Sequence, residues 1–485
     1  MAKSLKVNFL LNFIYTASGI LFPLITFPYA VRVMGPENIG IVNFQYSIVA
    51  YAMLFTLMGV PMYGLRETAR LRDTPARLRI MVQSLLTIVL VLNIVVYCII
   101  GVMAFTVPQI SEHKEVFFIL SSTILLYSLG CEWFFLGIED FKYITIRGVL
   151  VRTLSLLLLF AFVHTKDDIL WYATYVAFAV VGNNLFNFFH LRKYAIFQSF
   201  SFKNIEVKKH LRPVFQMFLL TVIISIYPHL SKIILGFLQG NTEVGFFVAA
   251  NKVGETELML VAAFTGVLGP RLSYLAETSQ KIEFGRIAQQ TIDLLLCVML
   301  PLTAGTFILS SEVMQLLSGS QYTSATPALR ILVIGIPFIT LSNMLGQQVL
   351  YALGQERLVL RCMLVNVIVF LIFNFIFVPQ YSFLGTAISL TLSEILFFLI
   401  LYFVSRPYFK CKLWTRNMLV TLLSTLGMSV LCWAISPSLG WHTIYLTPFV
   451  GAIIYAGLLF ALRHPLAFEA YGQSKSWLQR KCNKV

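Results

Sequence analysis

The chain has 485 residues, of which 58% are hydrophobic and only 12% charged; mean hydropathy is +0.82 and net charge +15. A soluble domain carries about a quarter of its residues charged, and no soluble fold of this length hides so much apolar side chain. These numbers exclude a soluble globular enzyme, a disordered chain and a coiled coil, and leave an all-α polytopic membrane protein.

A bilayer core takes about 20 apolar residues per helix. In chain order this ruler predicts fourteen spans, near 9–31, 40–62, 80–106, 116–138, 148–164, 169–190, 214–238, 246–269, 288–310, 328–352, 362–378, 383–404, 417–435 and 443–462. Stretches such as LLTIVLVLNIVVYCIIGVMAF do not alternate polar with apolar, as a barrel strand would. The basic start MAKSLKVNFLLNF leads into an apolar segment too long for a signal peptide and without a small-x-small cleavage site, so an uncleaved first span is expected.

The connections carry the charge. Of 36 Lys and Arg, 29 fall on one set of loops (1–8, 63–79, 139–147, 191–213, 270–287, 353–361, 405–416 and 463–485). The opposite loops hold three, Arg32, Lys114 and Lys166, and four lie inside spans. Positive loops stay inside, so both termini of this multi-pass chain are expected in the cytoplasm. This bias absorbs the basic balance without nucleic acid. The outward loops are short, the longest near 311–327, which leaves no room for an external catalytic domain; the chain is expected not to be an enzyme. Neither GxxxxGK[ST] nor GxGxxG occurs. The seven cysteines form no C-x-x-C pair and read as small buried hydrophobes. The histidines have no metal-ligand spacing, and no metal or cofactor is expected.

Two echoes suggest an internal repeat. RVMGPENIGIVNF after span 1 and FLQGNTEVGFFVA after span 7 each place two glycines five apart, Gly35 and Gly40, then Gly240 and Gly245, at an offset of 205. After spans 4 and 10, Gly137-x-Glu139 matches Gly354-x-Glu356 at an offset of 217. Each echo joins span n to span n+6, which keeps orientation. The sequence therefore predicts two six-helix lobes, 1–200 and 201–410, related by a parallel pseudo-twofold repeat, then two extra helices and a basic tail, 411–485. Two such lobes can rock around a shared cavity, giving alternating access.

Ionisable groups at membrane depth are costly and usually face a partner or water. Glu132 and Arg152 lie at similar depths, and either pair as a brace or face a cavity. Lys252 and Glu255, three apart, can meet on one helix face. Asp293 lies near an inner span end, and Arg330 can snorkel outward. Arg32 and Lys232 sit in the outer parts of spans 1 and 7, where Pro23, Pro28 and Pro228 are expected to break the helices; His229 shares a face with Lys232. Either these cations turn toward one another as an anion site or they snorkel. Glu255, Glu257 and Glu394 are candidates for coupling to protons or sodium, since a carboxylate in low dielectric can exchange protons near neutrality. Asn343, Gln347 and Gln348 on span 10 fit either a sugar-contacting wall or helix–helix hydrogen bonds.

At these residues the chain resembles a known family. FPLITFPYAVRVMGPENIGIVNF, EWFFLGIEDFKYITIRG and TEVGFFVAANKV resemble the Wzx-type polysaccharide repeat-unit flippases of bacteria, within the multidrug/oligosaccharidyl-lipid/polysaccharide exporter superfamily. The resemblance implies two six-helix lobes around a V-shaped cavity. It also implies translocation of undecaprenyl-diphosphate-linked oligosaccharide to the outer leaflet for O-antigen, capsule or similar glycans, with a polymerase of the same pathway as a partner. The arginine after PYAV falls on Arg32 and the EWFF glutamate on Glu132; by resemblance Arg32 would bind the diphosphate. The chain departs from the family in its seventh helix, where YPHLSKIILG lacks the usual acid, which puts a coupling carboxylate there in doubt. The runner-up is a multidrug or cation antiporter of the same fold, which would want acids rather than cations in its cavity. A membrane glycan polymerase or ligase comes third, against the short outer loops.

Overall fold

The computed structural model describes residues 5–194, 205–278, 280–439 and 443–465. In chain order its α-helices are α1 (Leu5–Leu57), α2 (Val60–Leu71), α3 (Pro75–Thr106), α4 (Pro108–Ser111), α5 (Lys114–Leu129), α6 (Glu132–Gly137), α7 (Phe141–Phe162), α8 (Ile169–Leu191), α9 (Val207–Gln239), α10 (Asn241–Glu277), α11 (Lys281–Ile308), α12 (Ser310–Ser318), α13 (Thr326–Asn343), α14 (Glu356–Ser405), α15 (Arg416–Leu439) and α16 (Thr443–Ala461). A π-helical turn, Met344–Leu350, extends α13. The described residues contain no strand. Nine helices among them are long and apolar enough to cross a bilayer, and their outer faces carry exposed large side chains such as Ile94, Phe105, Phe375 and Val430. Lipid, not protein, covers such faces. The chain is a multi-pass membrane protein.

Two of these helices are pairs joined without a loop. α1 is non-helical only at Gly35 (φ 75°, ψ 170°), and Pro36 opens the next helix. α14 bends at Ser382 (φ 52°, ψ −130°). The expected breaks at Pro23 and Pro28 do not occur, and α9 runs unbroken through residue 228. In a spanning helix the freed carbonyls find neighbours, so proline need not interrupt it. The connection 63–79 also differs from expectation, because Val60–Leu71 folds as a short amphipathic helix. It buries Tyr63, Gly64 and Thr68 and turns Arg66 and Arg70 outward, as suits a helix lying in the interface.

The chain forms two compact units, Met1–Val248 and Ala249–Val485. In the first, α1 packs against α3, α5, α7 and α9, and α2 against α6 and α9. The EWFF segment lies under α2, where a Cβ on Gly64 would come within 2.5 Å of the Trp133 ring. In the second, α13 pairs with α14, and α11 with α13 and α15.

The first glycine echo has a structural counterpart. Gly35 and Gly240 share a backbone conformation that only glycine adopts cheaply (φ 75°, ψ 170° and φ 95°, ψ 179°). The turns they open then touch reciprocally. A Cβ on Gly40 would lie 1.7 Å from the Asn241 carbonyl oxygen, and one on Gly245 would lie 1.9 Å from that of Pro36. Residues 36 and 241 are themselves 205 apart, the offset of the two glycine pairs, so the two turns press on each other at equivalent positions. In the second echo the left-handed positions are Glu139 (φ 60°) and Gly354 (φ 70°). The turns therefore correspond at an offset of 215, two residues from the register that matching Gly137 to Gly354 implies.

Candidate functional site

The embedded cations of the first unit gather on α1 and its neighbours. Arg152, half-buried on α7, donates to the Ser18 hydroxyl, and its guanidinium lies against the α1 backbone, with Nη2 3.3 Å from where a Gly19 Cβ would be. Farther along α1, the Tyr29 hydroxyl donates to the Val163 carbonyl at 2.7 Å, and Asn38 donates to that of Lys166 at 2.7 Å. Between these anchors Val31 and Met34 are buried, and Arg32 is left on the exposed side. Ser18 and Arg32 are fourteen residues apart on one helix, about 21 Å at 1.5 Å per residue. Arg152 and Arg32 therefore mark two depths, too far apart for one diphosphate.

α9 brings the second pair of candidates into the same unit. His229 sets its ring edge-on to Tyr46 and Tyr51, with centroids 6.0 and 6.1 Å apart. One turn on, Lys232 is half-buried beside buried Ser231 and Leu235. One turn further, Gly236 meets Phe44, where a Cβ would lie 2.1 Å from its ring. That close approach seats α9 against the second half of α1 and fixes how far Lys232 stands from it.

Glu132 does not pair with Arg152. Cys131 adopts a left-handed conformation (φ 44°), which ends α5 and starts α6 afresh, so Glu132 leaves the direction of the preceding span. Its Oε1 accepts from Arg147 Nη2 at 2.9 Å. Arg147 is only 2% exposed. Its Nε donates to Asn183 Oδ1 at 3.1 Å, Nη1 donates to Asn187 Oδ1, and the guanidinium lies 5.4 Å over the Tyr143 ring. Tyr143 in turn stacks on His190 at 4.0 Å. Arg147 falls in the connection 139–147 expected from sequence, whereas α7 begins at Phe141 and carries it inside. Asn183 and Asn187, i and i+4 in an apolar span, were the available sign that an embedded cation needed acceptors.

In the second unit, Lys252 meets Glu255 at 3.0 Å, and Asn251 donates to the same carboxylate at 2.9 Å. Glu257 is 6% exposed; one oxygen accepts from the Thr306 hydroxyl, and Oε2 is buried without a hydrogen-bond partner. One turn from Thr306, the Thr303 hydroxyl is likewise buried and unpartnered. Glu394 is half-buried on the second half of α14. Asp293 accepts from Gln289 and Asn417, both at 2.9 Å. Arg330 is exposed, donates to Ser310 at 2.7 Å and lies 5.8 Å over Phe307.

The span-10 amides divide. Gln347 donates to Asn343 along the same helix at 3.4 Å, and both are exposed. Gln348 packs on α10, its Oε1 2.6 Å from where a Gly269 Cβ would be. The π-helical turn at Met344–Leu350 sets the direction of both glutamines. Among the described residues no group of three metal-ligating side chains occurs.

Comparison with known proteins bears on this arrangement. A family profile described as "Polysaccharide biosynthesis protein" matches residues 5–276, more than half of the chain. The chain belongs to this family. Within the polysaccharide biosynthesis match fall Arg32, Glu132, Arg152, His229, Lys232, Lys252, Glu255 and Glu257; Asn343, Gln347 and Glu394 lie beyond it. A protein of Escherichia coli (strain K12) named "Putative O-antigen transporter" is 27% identical over 403 residues, covering 81% of this chain and 94% of its own. Among solved structures, the lipid II flippase MurJ in an inward closed conformation superposes with a TM-score of 0.73 at 13% identity, covering 94% of this chain and 99% of that one. An inward-facing multidrug resistance transporter of the MATE family gives 0.60 at 14% identity, with 80% and 94% covered. Both likenesses concern the fold, which this family member shares with flippases and drug transporters alike.

Proposed function

We infer that this chain is a flippase that carries lipid-linked oligosaccharide repeat units across a bacterial inner membrane, by alternating access, and that it is a transporter rather than an enzyme. Its family, the E. coli relative named for O-antigen transport and the lipid II flippase fold support that substrate class. The observation that carries the reading is the placement of Arg152 and Lys232, both half-buried on otherwise apolar helices of the first unit. Hydrocarbon rejects a diphosphate, whereas embedded cations replace its hydration with charge-assisted hydrogen bonds. The undecaprenyl tail stays in lipid, so only the headgroup enters. Arg32 serves the outer end of the path, and Asn343 and Gln347 offer amides to sugar hydroxyls. A cation antiporter would want acids at these positions, and the drug-transporter likeness lies in the fold alone.

The charge bias of the loops supports cytoplasmic termini, and a polymerase using the flipped product is the natural partner. For energy coupling the best-placed group is Glu257. Glu255 is engaged by Lys252 and Asn251, while Glu257 is buried with one oxygen unpartnered. The decisive experiment is export of a lipid-diphosphate oligosaccharide in proteoliposomes and in cells. Arg152→Gln and Lys232→Gln should lower it at least tenfold at normal protein levels, and Arg152→Lys should retain more. Full export by the neutral variants would overturn the reading.

A further inference from the structure

Away from the embedded charges, a cavity of about 720 Å3 opens in the second unit where α10 ends, α11 begins and the chain leaves α14. Lys281, Lys410 and Lys412 line it, and among the described residues no Asp or Glu does. Its apolar side is built from Phe284 and Phe409, both buried, with ring centroids 6.5 Å apart. The lysine-bearing segment is fixed in place, because Gln289 donates to the Lys412 carbonyl at 2.9 Å and accepts from its N–H at 3.0 Å. Lys281 is the first residue of α11, so the unsatisfied N–H groups of that helix open toward the same place. Two acids of α11 lie beside the cavity without lining it: Glu283 is held by Arg286 at 2.6 Å, and Asp293 accepts from Gln289 and Asn417, both at 2.9 Å.

The first unit supplies an internal comparison. A cavity of about 490 Å3 lies at the corresponding connections of the repeat, those after spans 2, 4 and 6, and its lining balances Arg72 and Arg79 against Asp73, Glu139 and Asp140. Arg72 and Glu139 pair there at 3.4 Å. The same connections thus fold with neutralised charge in one unit and with cations alone in the other, so the cationic lining is not a demand of the fold. Three lysines held around one hollow repel each other unless an anion joins them.

We propose that this cavity in the second unit binds an anionic phosphate group, carried by a phospholipid headgroup or by a soluble phosphate. Its volume suits a small ligand. Its paired aromatic rings suit the glycerol and first methylenes of a lipid, while the lysines meet the phosphate. The 29-to-3 charge bias places these connections at the inner leaflet, where anionic headgroups concentrate. The proposal stands apart from the transport reading, since it uses none of the residues assigned to the substrate path.

The test uses the full chain in nanodiscs. Wild type is compared with Lys281→Gln/Lys410→Gln/Lys412→Gln, and with a control that neutralises Lys208, Arg212 and Arg357, exposed cations outside this cavity. One arm measures phosphatidylglycerol retained in native mass spectra against a phosphatidylcholine background. The other titrates pyrophosphate into discs of phosphatidylcholine alone. At about fivefold per lysine, the triple variant should lose roughly a hundredfold in affinity, and the control should lose little. Loss in the first arm identifies a lipid headgroup; loss in the second identifies a soluble phosphate. If the triple variant unfolds in neutral lipid, Lys410→Gln alone should lose about fivefold. Equal binding by wild type and variant, no binding of either probe, or an equal loss in the control overturns the proposal.

Discussion

Replacing Gly40 with alanine probes the reciprocal contact of the turns that follow Gly35 and Gly240. The added methyl would sit 1.7 Å from the Asn241 carbonyl oxygen, where ordinary contact begins near 3.4 Å. The turns must therefore part by about 1.7 Å, and a carbonyl oxygen, unlike a flexible side chain, cannot swing away. Overpacking of this kind costs about 1–3 kcal/mol, and the helix-propensity gain of alanine, about 1 kcal/mol at most, offsets part of it. A net loss of about 1–2 kcal/mol is expected, read as a fall of roughly 1–2 °C in the thermal midpoint of the purified protein. Gly101→Ala, with nothing within 4 Å of its Cβ, should show no such fall. The stronger test is the double variant. Gly245→Ala clashes with Pro36 across the same gap, so one separation relieves both methyls, and the second substitution should cost less than half of the first. A double-mutant cycle measures this directly. Additive losses, or an unchanged midpoint for Gly40→Ala, would refute the reciprocal geometry.

Other expectations follow from single side chains. Arg147→Met leaves Glu132 and two asparagine carbonyls without their donor and should destabilise the protein by about 3–5 kcal/mol; a thermal midpoint within a degree of wild type would contradict this. His210 accepts or donates at 2.8 Å with the Tyr63 hydroxyl, and burial holds its ring below the ordinary histidine pKa of 6.5. The folded state thus favours the neutral ring, so its stabilising contribution is present above pH 6.5 and lost as pH falls below it; melting between pH 5 and 8 should show that loss, and His210→Gln should flatten it. Glu257→Gln should abolish the pH response of proteoliposome export, while Glu255→Gln, whose carboxylate Lys252 already engages, should retain it; an unchanged response in Glu257→Gln removes that residue from coupling.

The helices were largely legible because lipid imposes a length on every apolar run and leaves charge to the connections. Side-chain pairing was not, and two residues show why. Glu132 and Arg152 were matched by depth, but depth counted along one straight span ignores the left-handed turn at Cys131, which aims Glu132 at Arg147 instead. Arg147 was hidden by its place one residue before the apolar run of span 5, although α7 begins six residues earlier. Proline misled in the opposite sense. Pro23 and Pro28 sit within continuous helix, and the real interruption needed the conformational freedom of Gly35. The Lys252–Glu255 pair was readable because i,i+3 geometry is local. The hydroxyl that Glu257 uses, Thr306, lies 49 residues away on another helix, beyond what spacing can show.

The hairpin within α14 has a practical consequence for anyone mapping this protein. Ser382 turns the chain in a single residue, and Gly385 then passes so near Phe377 that a Cβ would lie 2.2 Å from its carbonyl oxygen. Reporter fusions, epitope insertions and protease sites placed there would split two packed helices instead of lengthening a linker. Topology mapping of this hairpin is better done by labelling an exposed side chain beside the bend, such as Tyr381, than by inserting residues into it.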